Sequence, residues 1–133
     1  MSWQAYVDTS LVGSGQVHKA CIASLAGDSV WATSPEFAVT PDELKTIANI
    51  FKEGKEGETA MKVYAGGLNV AGERYVVPRI EDASAYARQG RTGVCISTTK
   101  QAIIITWHND TGVAGNATQT TQKLADYLIG QGY

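Results

Sequence analysis

The residues capable of nucleophilic or metal chemistry are few and far apart in the sequence. Two histidines, His18 and His108, lie in strand-like segments, and two cysteines, Cys21 and Cys95, lie among apolar residues. A histidine could act as the general base of a small hydrolase if the fold brought it to a carboxylate and a hydroxyl. The cysteines have neither the CxxC spacing nor the nearby histidine of a zinc site, and we expect buried, reduced thiols.

Two glycine-rich stretches fall short of known catalytic motifs. Gly13-Ser14-Gly15 lacks the further residues of a nucleophile elbow or a dinucleotide fingerprint, and Gly54-Lys55-Glu56-Gly57 is not a P-loop. Because no motif meets the criteria for an active site, the sequence predicts no catalytic residue, no metal site and no cofactor. We therefore expect a protein that is not an enzyme.

Aromatic residues near both ends of the sequence offer a different chemistry, the binding of an extended peptide. Trp3 and Tyr6 are three residues apart and are neighbours on a predicted helix, while Tyr127 borders the core-facing stripe of another. If these two helices packed side by side, their rings would wall a groove. Such grooves bind polyproline II segments, because the stiff ligand loses little entropy and its carbonyls accept hydrogen bonds from indole and phenol groups.

Capping residues and apolar spacing predict three helices. The first covers residues 2–12, with Ser2 as its N-cap. The second begins with the capping box Thr40-Pro41-Asp42-Glu43, which has proline at the first helical position, and ends at Gly54. The third covers residues 115–129 and carries an apolar stripe on one face.

The remaining segments predict a meandering antiparallel sheet. Residues 16–25 and 28–34 form a predicted hairpin, and short extended runs follow from residue 60 to residue 108, beginning with residues 61–64. Pro78 cannot donate a ladder hydrogen bond, which indicates an edge strand or a bulge. The fold class is therefore α+β, with a central antiparallel sheet flanked by the terminal helices.

Length and composition predict a single domain over residues 1–133. Hydrophobic residues are 44% and charged residues 18% of the chain, which is ordinary for a globular protein. The formal net charge of −2 makes a nucleic-acid partner unexpected, because proteins that bind nucleic acids are usually basic. The sequence begins without the basic and apolar regions of a secretory signal and has no apolar run that could span a membrane, so we expect neither.

Three segments, in order, resemble the profilin family, and the resemblance covers the full length of the sequence. Residues 1–8, MSWQAYVD, are similar to the profilin N-terminal signature, and residues 28–32, DSVWA, are similar to the second strand with its tryptophan. Residues 124–133, LADYLIGQGY, are similar to the C-terminal helix of fungal, protist and plant members. The resemblance implies the profilin fold, with the N- and C-terminal helices side by side on one face of the sheet and a shorter helix on the other.

The resemblance also implies a function. It implies a non-enzymatic, monomeric protein of the cytoplasm and cytoskeleton. Such a protein binds and sequesters monomeric actin one-to-one and so regulates actin polymerisation. The other implied partners are proline-rich proteins, such as actin nucleators and elongators, and phosphoinositide head groups at the membrane surface. Because the net charge is −2 and no basic run occurs, we expect phosphoinositide binding to be weak.

Matching this sequence to the family, residue by residue, implies three sets of site residues. The implied poly-proline site consists of Trp3, Tyr6, Trp31, Tyr127, Leu128 and Tyr133. The implied actin site consists of Arg74, Val76, Arg79, Arg88, Gly115, Gln119 and Lys123. The implied phosphoinositide site, in which guanidinium groups would bind phosphate, consists of Arg74, Arg79, Arg88 and Arg91.

Two other function classes stay open at this point. A small-ligand sensor would need an interior pocket with a few converging polar groups, and a core almost free of polar groups would argue against it. A small hydrolase would need His18 or His108 within hydrogen-bonding reach of both a carboxylate and a hydroxyl.

Overall fold

A computed structural model describes residues 2–133, and Met1, the first residue of the matched N-terminal segment, lies outside the described residues. The fold opens with α1 (Trp3–Ala5), which continues as a π turn (Tyr6–Leu11) and a 3₁₀ turn (Val12–Ser14). We call these three pieces together the N-terminal helical segment. The other helices are α2 (Pro41–Glu53), α3 (Glu58–Gly66) and α4 (Ala114–Gly130). The strands are β1 (Lys19–Ser24), β2 (Val30–Thr33), β3 (Leu68–Val70), β4 (Glu73–Ile80), β5 (Ser84–Gln89), β6 (Thr92–Thr98) and β7 (Ala102–His108).

The seven strands form one antiparallel sheet in the order β2-β1-β7-β6-β5-β4-β3. The predicted hairpin of residues 16–25 and 28–34 is confirmed as β1 and β2, each somewhat shorter than predicted. The meander is confirmed for β3 to β7, since each of these strands pairs with the next along the chain. The α+β fold class predicted from the sequence is therefore confirmed.

A capping box fixes the start of α2 and also reaches across to the sheet. The Thr40 hydroxyl accepts a hydrogen bond from the Glu43 amide at 3.2 Å, and the Glu43 carboxylate accepts one from the Thr40 amide at 2.9 Å. The same carboxylate accepts hydrogen bonds from the amides of Ala71 and Gly72, each at 2.9 Å, in the turn between β3 and β4. Glu43 thus joins the start of α2 to the edge of the sheet.

Residues 61–64, predicted as an extended run, lie in a helix instead. α3 buries Ala60 and Val63, which are three residues apart, and packs against α2 and β4. The strand prediction was wrong because so short an apolar run fits both periodicities, and only the packing decides between them. As a result, α3 shares the second face of the sheet with α2.

Pro78 lies at a bulge, as its missing amide proton predicts. The register between β4 and β5 shifts within residues 76–79, so the ladder skips the proline. β3 pairs only with residues 73–75 of β4, which leaves the rest of β4 at the sheet edge. The Tyr64 hydroxyl accepts a hydrogen bond from the Ile80 amide at 3.1 Å and so covers part of this edge.

Two hydrophobic cores lie on opposite faces of the sheet, because the central strands present apolar side chains to both sides. Ile103 and Ile105 of β7 belong to the core beneath α2 and α3, while Ile104 belongs to the core beneath the N-terminal helical segment and α4. The terminal helices therefore share one face, as the resemblance implies. Within residues 2–133, no helix is long and apolar enough to cross a membrane.

Candidate functional site

Five aromatic rings from distant parts of the sequence meet at one surface. The ring centroid of Trp3 lies 4.9 Å from that of Trp31 and 5.3 Å from that of Tyr133. Tyr6 lies 5.8 Å from Trp3, and Tyr127 lies 6.3 Å from Tyr6, again between ring centroids. Tilted and edge-to-face contacts of this kind are favoured by aromatic pairs. We call these five residues the aromatic shelf.

Local capping and one long-range hydrogen bond hold the N-terminal side of the shelf. The Ser2 hydroxyl accepts a backbone hydrogen bond at 3.1 Å from the first helical turn, which carries Trp3. The side-chain amide of Gln4 donates to the Thr33 carbonyl at 3.0 Å. This bond joins the first turn to β2, the strand that carries Trp31, and so brings the two indoles together.

The turn between β6 and β7 holds Tyr133 in the shelf. The main-chain oxygen of Tyr133 accepts hydrogen bonds from the Gln101 amide at 2.6 Å and from the Thr99 hydroxyl at 2.9 Å. The Tyr133 amide donates to the Leu128 carbonyl at 2.9 Å. Because three hydrogen bonds fix its backbone, the Tyr133 ring is kept against Trp3 even though it faces solvent.

The shelf is exposed to solvent and has a buried floor. Tyr127 and Tyr133 are 51% and 42% exposed, whereas Trp3 and Trp31 are half-buried. Leu128, which the resemblance places in the poly-proline site, is 0% exposed. Leu128 therefore lies in the core under the shelf and supports the rings from below.

The shelf also carries hydrogen-bond donors. Desolvation raises the pKa of Tyr6 above its ordinary value, and the neighbouring phenols of Tyr127 and Tyr133 raise it further. The Tyr6 phenol consequently keeps its proton at neutral pH and can donate it in a hydrogen bond. Four rings of the shelf are partly exposed, and the Tyr6 ring is buried at 8% exposure. Such a surface, with indole N–H and phenol O–H groups, is suited to stacking against prolines while bonding their carbonyls.

A groove of about 410 Å³ adjoins the shelf, between the N-terminal helical segment and α4. Its lining residues are Tyr6, Ser10, Ser14, Thr120, Lys123, Leu124 and Tyr127. Two of these residues, Tyr6 and Tyr127, also belong to the shelf. Lys123, which the resemblance places in the actin site, thus lies on the side of α4 that faces the N-terminal helical segment.

The pairing of strands shows which side of the sheet carries the other implied actin residues. The Cys95 sulfur of β6 lies 3.4 Å from the Thr118 hydroxyl oxygen of α4, so Cys95 faces the terminal helices. Tyr86 pairs with Cys95, and Arg79 pairs with Tyr86. Because directly paired residues project to the same side of a sheet, Arg79 lies on the side of α4.

α4 packs on β6 and β7, and the same side of the sheet is open to solvent at β4 and β5. Val76 is 60% exposed and pairs with Arg88, which is two residues from Tyr86 and therefore on the same side. Arg79 and Arg88 are exposed as well. We call Val76, Arg79 and Arg88 the exposed sheet face. It is flat, mixed apolar and basic, and it does not include any ring of the shelf.

The other implied actin and phosphoinositide residues lie around this face. Gly115 and Gln119 are exposed on α4, and Arg91 is exposed in the turn between β5 and β6. The Arg74 Nε donates to the Gly66 carbonyl at 2.6 Å, at the end of α3. One of the implied phosphate-binding arginines is thus held by a carbonyl group of the protein itself.

Five exposed large hydrophobic side chains belong to none of the three implied sites: Val30, Met61, Tyr64, Val113 and Ile129. Met61 and Tyr64 of α3 are 50% and 41% exposed, and Val113, directly before α4, is 58% exposed. The spacing of three between Met61 and Tyr64 would have placed them on one face of a helix, but residues 61–64 were predicted as a strand. Because residues 61–64 were wrongly predicted as a strand, the partly apolar surface of α3 was not predicted either.

Neither histidine assembles the arrangement of a hydrolase in the part of the chain that the structure describes. The Nε2 of His108 lies 3.1 Å from the Tyr86 hydroxyl, and its Nδ1 lies 2.9 Å from the Asn109 carbonyl oxygen. The Nδ1 of His18 accepts a hydrogen bond from the Asn109 amide at 3.0 Å. No carboxylate is among these partners, and both histidines instead fix the backbone that follows β7.

The cysteines and the buried polar groups do not favour a reactive or ligand-binding interior. Desolvation raises the pKa of Cys21 to about 12 and raises that of Cys95, so both thiols are poor nucleophiles at neutral pH. Over residues 2–133, every buried side-chain nitrogen or oxygen has a hydrogen-bond partner, as in the 2.7 Å pair of Thr106 and Thr121. No free polar group among these residues is left to converge on a small ligand inside the fold, as the sensor hypothesis requires.

Comparison with known proteins matches the chain to one family over its whole length. A family model described as Profilin matches residues 1–133. The chain is 45% identical to profilin-1B of Acanthamoeba castellanii and 40% identical to the profilin of Schizosaccharomyces pombe, and each alignment covers 100% of both sequences.

Solved structures give the same result. The chain superposes on Acanthamoeba castellanii profilin IB with a TM-score of 0.91 at 45% identity, covering 99% of this chain and 100% of that one. Its fold alone is similar to that of mouse profilin IIa, solved in complex with a double repeat from the FH1 domain of mDia1. That match has a TM-score of 0.78 at 21% identity and covers 100% of both chains.

Proposed function

The chain belongs to the profilin family of non-enzymatic, actin-binding proteins, and we propose that it binds monomeric actin one-to-one while docked on proline-rich partners. Its role would then be to regulate actin polymerisation at the cytoskeleton in the cytoplasm. The proposal has two parts, one for each of the two surfaces. We also propose a weaker contact with phosphoinositide head groups, on the same surface that binds actin.

The observation that carries the poly-proline part is the aromatic shelf. Trp3 contacts both Trp31 and Tyr133 at ring distances of 4.9 and 5.3 Å, and the rings are partly exposed. A polyproline II segment has three residues per turn, so one edge of the ligand can stack on the rings while its carbonyls turn to the donors. The complex of mouse profilin IIa with a double repeat from an FH1 domain supports this assignment.

The actin part is assigned to the exposed sheet face, extended by the exposed side of α4. Val76 supplies apolar area, Arg79 and Arg88 supply positive charge, and Gly115 and Gln119 extend the surface onto the helix. Charge of one sign on a flat surface steers an oppositely charged partner and fixes its orientation. Lys123 and Arg74 are set apart from this proposal, because the first lines the groove beside the shelf and the second bonds the end of α3.

Phosphoinositide binding is proposed as weak and as competing with actin. Arg79 and Arg88 are exposed on the same face, and Arg91 is exposed in the adjoining turn. The Arg79 Nε already lies 3.8 Å from a Glu81 carboxylate oxygen, and the whole chain has a net charge of −2. Each exposed arginine near an anionic membrane contributes only about 1 kcal/mol, so few contacts give weak binding.

The separation of the two surfaces lets one molecule hold actin and a proline-rich protein at once. An actin monomer held in this way is concentrated near whatever the proline-rich segment is attached to. No chemical step is needed for such delivery, in agreement with the non-enzymatic character of the family.

One bridging experiment tests both parts. Beads that carry a proline decapeptide should retain actin monomers only when this protein is added. If the beads retained this protein but no actin, the two-surface model would be contradicted. If they did not retain this protein at all, the poly-proline part would be contradicted. Beads that carry a glycine-serine peptide of the same length are the control.

Fluorescence sharpens the poly-proline test, because two of the three tryptophans lie in the shelf. A Trp107→Phe variant leaves Trp3 and Trp31 as the only indoles. Titration of this variant with the proline decapeptide should give a saturable change in emission. An unchanged spectrum at millimolar peptide would count against the shelf as the binding site.

A further inference from the structure

The groove beside the aromatic shelf continues the surface that we assign to proline-rich ligands. Tyr6 and Tyr127, with ring centroids 6.3 Å apart, line both the shelf and the groove. A ligand that leaves the shelf across these two rings therefore passes into the groove. The volume of about 410 Å³ is enough for a few further residues of a peptide.

The groove differs from the shelf in having a cation, Lys123, in its lining. Lys123 is four residues before Tyr127 on α4, which places the two side chains one turn, or about 6 Å, apart along the helix. A polyproline II chain rises about 3.1 Å per residue, so this distance corresponds to about two residues of the ligand. A side chain two or three residues beyond the last stacked proline can thus reach the Lys123 ammonium.

The charged neighbours of Lys123 leave it available to a ligand. Among residues 2–133, the ion pairs are Lys55 with Asp82, Lys62 with Glu58, and Arg79 with Glu81. The carboxylates of the two helical elements have other partners and form no ion pair with Lys123: Asp8 accepts a hydrogen bond from Gln4, and Asp126 accepts one from Gln122. In the part of the chain that the structure describes, no acidic side chain lines the groove.

The uncharged polar groups of the groove are hydroxyls. The Ser14 hydroxyl already donates to the Leu11 carbonyl at 2.6 Å, whereas Ser10 and Thr120 have hydroxyls that can turn towards a ligand. An ammonium and hydroxyl donors over an aromatic wall are a set that accepts a carboxylate. The ammonium of Lys123 would repel a cationic side chain at the same place.

We infer that this groove, which we call the Lys123 subsite, selects proline-rich partners with an acidic residue close to the end of the proline run. The inference rests on the proposed poly-proline function, because the ligand must first occupy the shelf. It makes the shelf the source of affinity for prolines and Lys123 the residue that discriminates among proline-rich sequences.

The experiment compares proline decapeptides extended at either end by Glu-Glu, by Gln-Gln or by Lys-Lys. Affinities are measured by tryptophan fluorescence at low salt. For at least one end, the Glu-Glu peptide should bind the unmodified protein about two- to five-fold more tightly than the Gln-Gln peptide, since the pair is partly exposed. In the Lys123→Glu variant the order should invert, with the Lys-Lys peptide bound more tightly than the Glu-Glu peptide.

A matched control separates the local contact from the net charge of the protein. Lys52→Glu makes the same change of charge on α2, on the opposite face of the sheet. The Glu-Glu preference should survive in this variant, and its loss there would overturn the subsite. Equal affinity of all extended peptides for the unmodified protein would overturn it too. Failure of the plain proline decapeptide to bind would instead contradict the proposed function itself.

Discussion

The aromatic shelf and the exposed sheet face are built in opposite ways. The shelf joins residues that are as far apart as Trp3 and Tyr133, and it rests on Leu128, which is 0% exposed. The exposed sheet face takes Val76 and Arg88 from neighbouring strands, and both side chains point into solvent. The first surface therefore depends on the packing of the molecule, whereas the second depends mainly on the sheet that carries it.

Because of this difference, mutations in the two surfaces should have different effects on partner affinity and on the free energy of unfolding. A change in the shelf or its floor alters packed groups, so it can lower both the affinity for prolines and the free energy of unfolding. A change on the exposed sheet face alters solvated side chains, so it should affect the partner and leave the fold unchanged.

The largest effect is expected for the floor of the shelf. Leu128→Ala should lower the free energy of unfolding by about 2–5 kcal/mol, because it leaves a cavity at a fully buried position. Urea denaturation measures this loss. Ile129→Ala on the same helix, at a residue that is 38% exposed, is the matched control and should cost far less. Equal losses in the two variants would show that the floor is not specially packed.

The centre of the shelf comes next. Trp3→Ala should weaken binding of the proline decapeptide by about 2 kcal/mol or more, roughly 30-fold, because the ring contacts three others at the centre of the site. Affinity for actin should stay within about two-fold of the unmodified protein. Trp107→Ala removes an indole outside the shelf and should leave peptide binding intact. If that control lost binding too, the shelf would not be the site.

Mutation of the exposed sheet face should weaken actin binding and leave peptide binding unchanged. Arg88→Glu should weaken actin binding about tenfold or more, because it places a negative charge in a basic surface. The thermal midpoint and the affinity for the proline decapeptide should not change. Lys52→Glu on α2 serves as the charge-matched control. A loss of peptide binding in Arg88→Glu would mean that the two surfaces are not independent.

A smaller effect is expected at Thr99, which helps to hold Tyr133 in the shelf. Thr99→Val removes the 2.9 Å hydrogen bond to the Tyr133 main-chain oxygen, together with the acceptor of the Gln101 and Ala102 amides. It should weaken peptide binding about two- to tenfold, because Tyr133 is then held by two of its three hydrogen bonds and the ligand must order it further. Thr98→Val is the control, since the Thr98 hydroxyl donates to the Ala83 carbonyl instead. Equal affinities in the two variants would show that Tyr133 needs no such anchor.

The smallest effect is expected from pH. Desolvation and the neighbouring phenols raise the pKa of Tyr6 above its ordinary value near 10, so its hydroxyl stays protonated as pH rises through the neutral range. The affinity for the proline decapeptide should consequently be flat between about pH 6 and 9. A titration of binding with a midpoint inside that range would contradict the role given to this donor.

Features that depend on near neighbours in the chain could be predicted from the residues alone. The capping box of Thr40 and Glu43 and the bulge at Pro78 are of this kind, because each follows from the hydrogen-bonding capacity of a few adjacent residues. The residues of the aromatic shelf were predictable as well. Trp3, Tyr6 and Tyr127 followed from helical spacing, whereas Trp31 and Tyr133 came with the resemblance to profilins.

Features that depend on which elements pack together emerged only in the folded molecule. Residues 61–64 fit a strand or a helix, and contact with α2 and β4 made them helical. The burial of Leu128 and the position of Lys123 beside Tyr6 depend on how α4 is rotated against the sheet and the N-terminal helical segment. Spacing along one element gives the relative angles of its side chains, but it does not give the direction in which the neighbouring element lies.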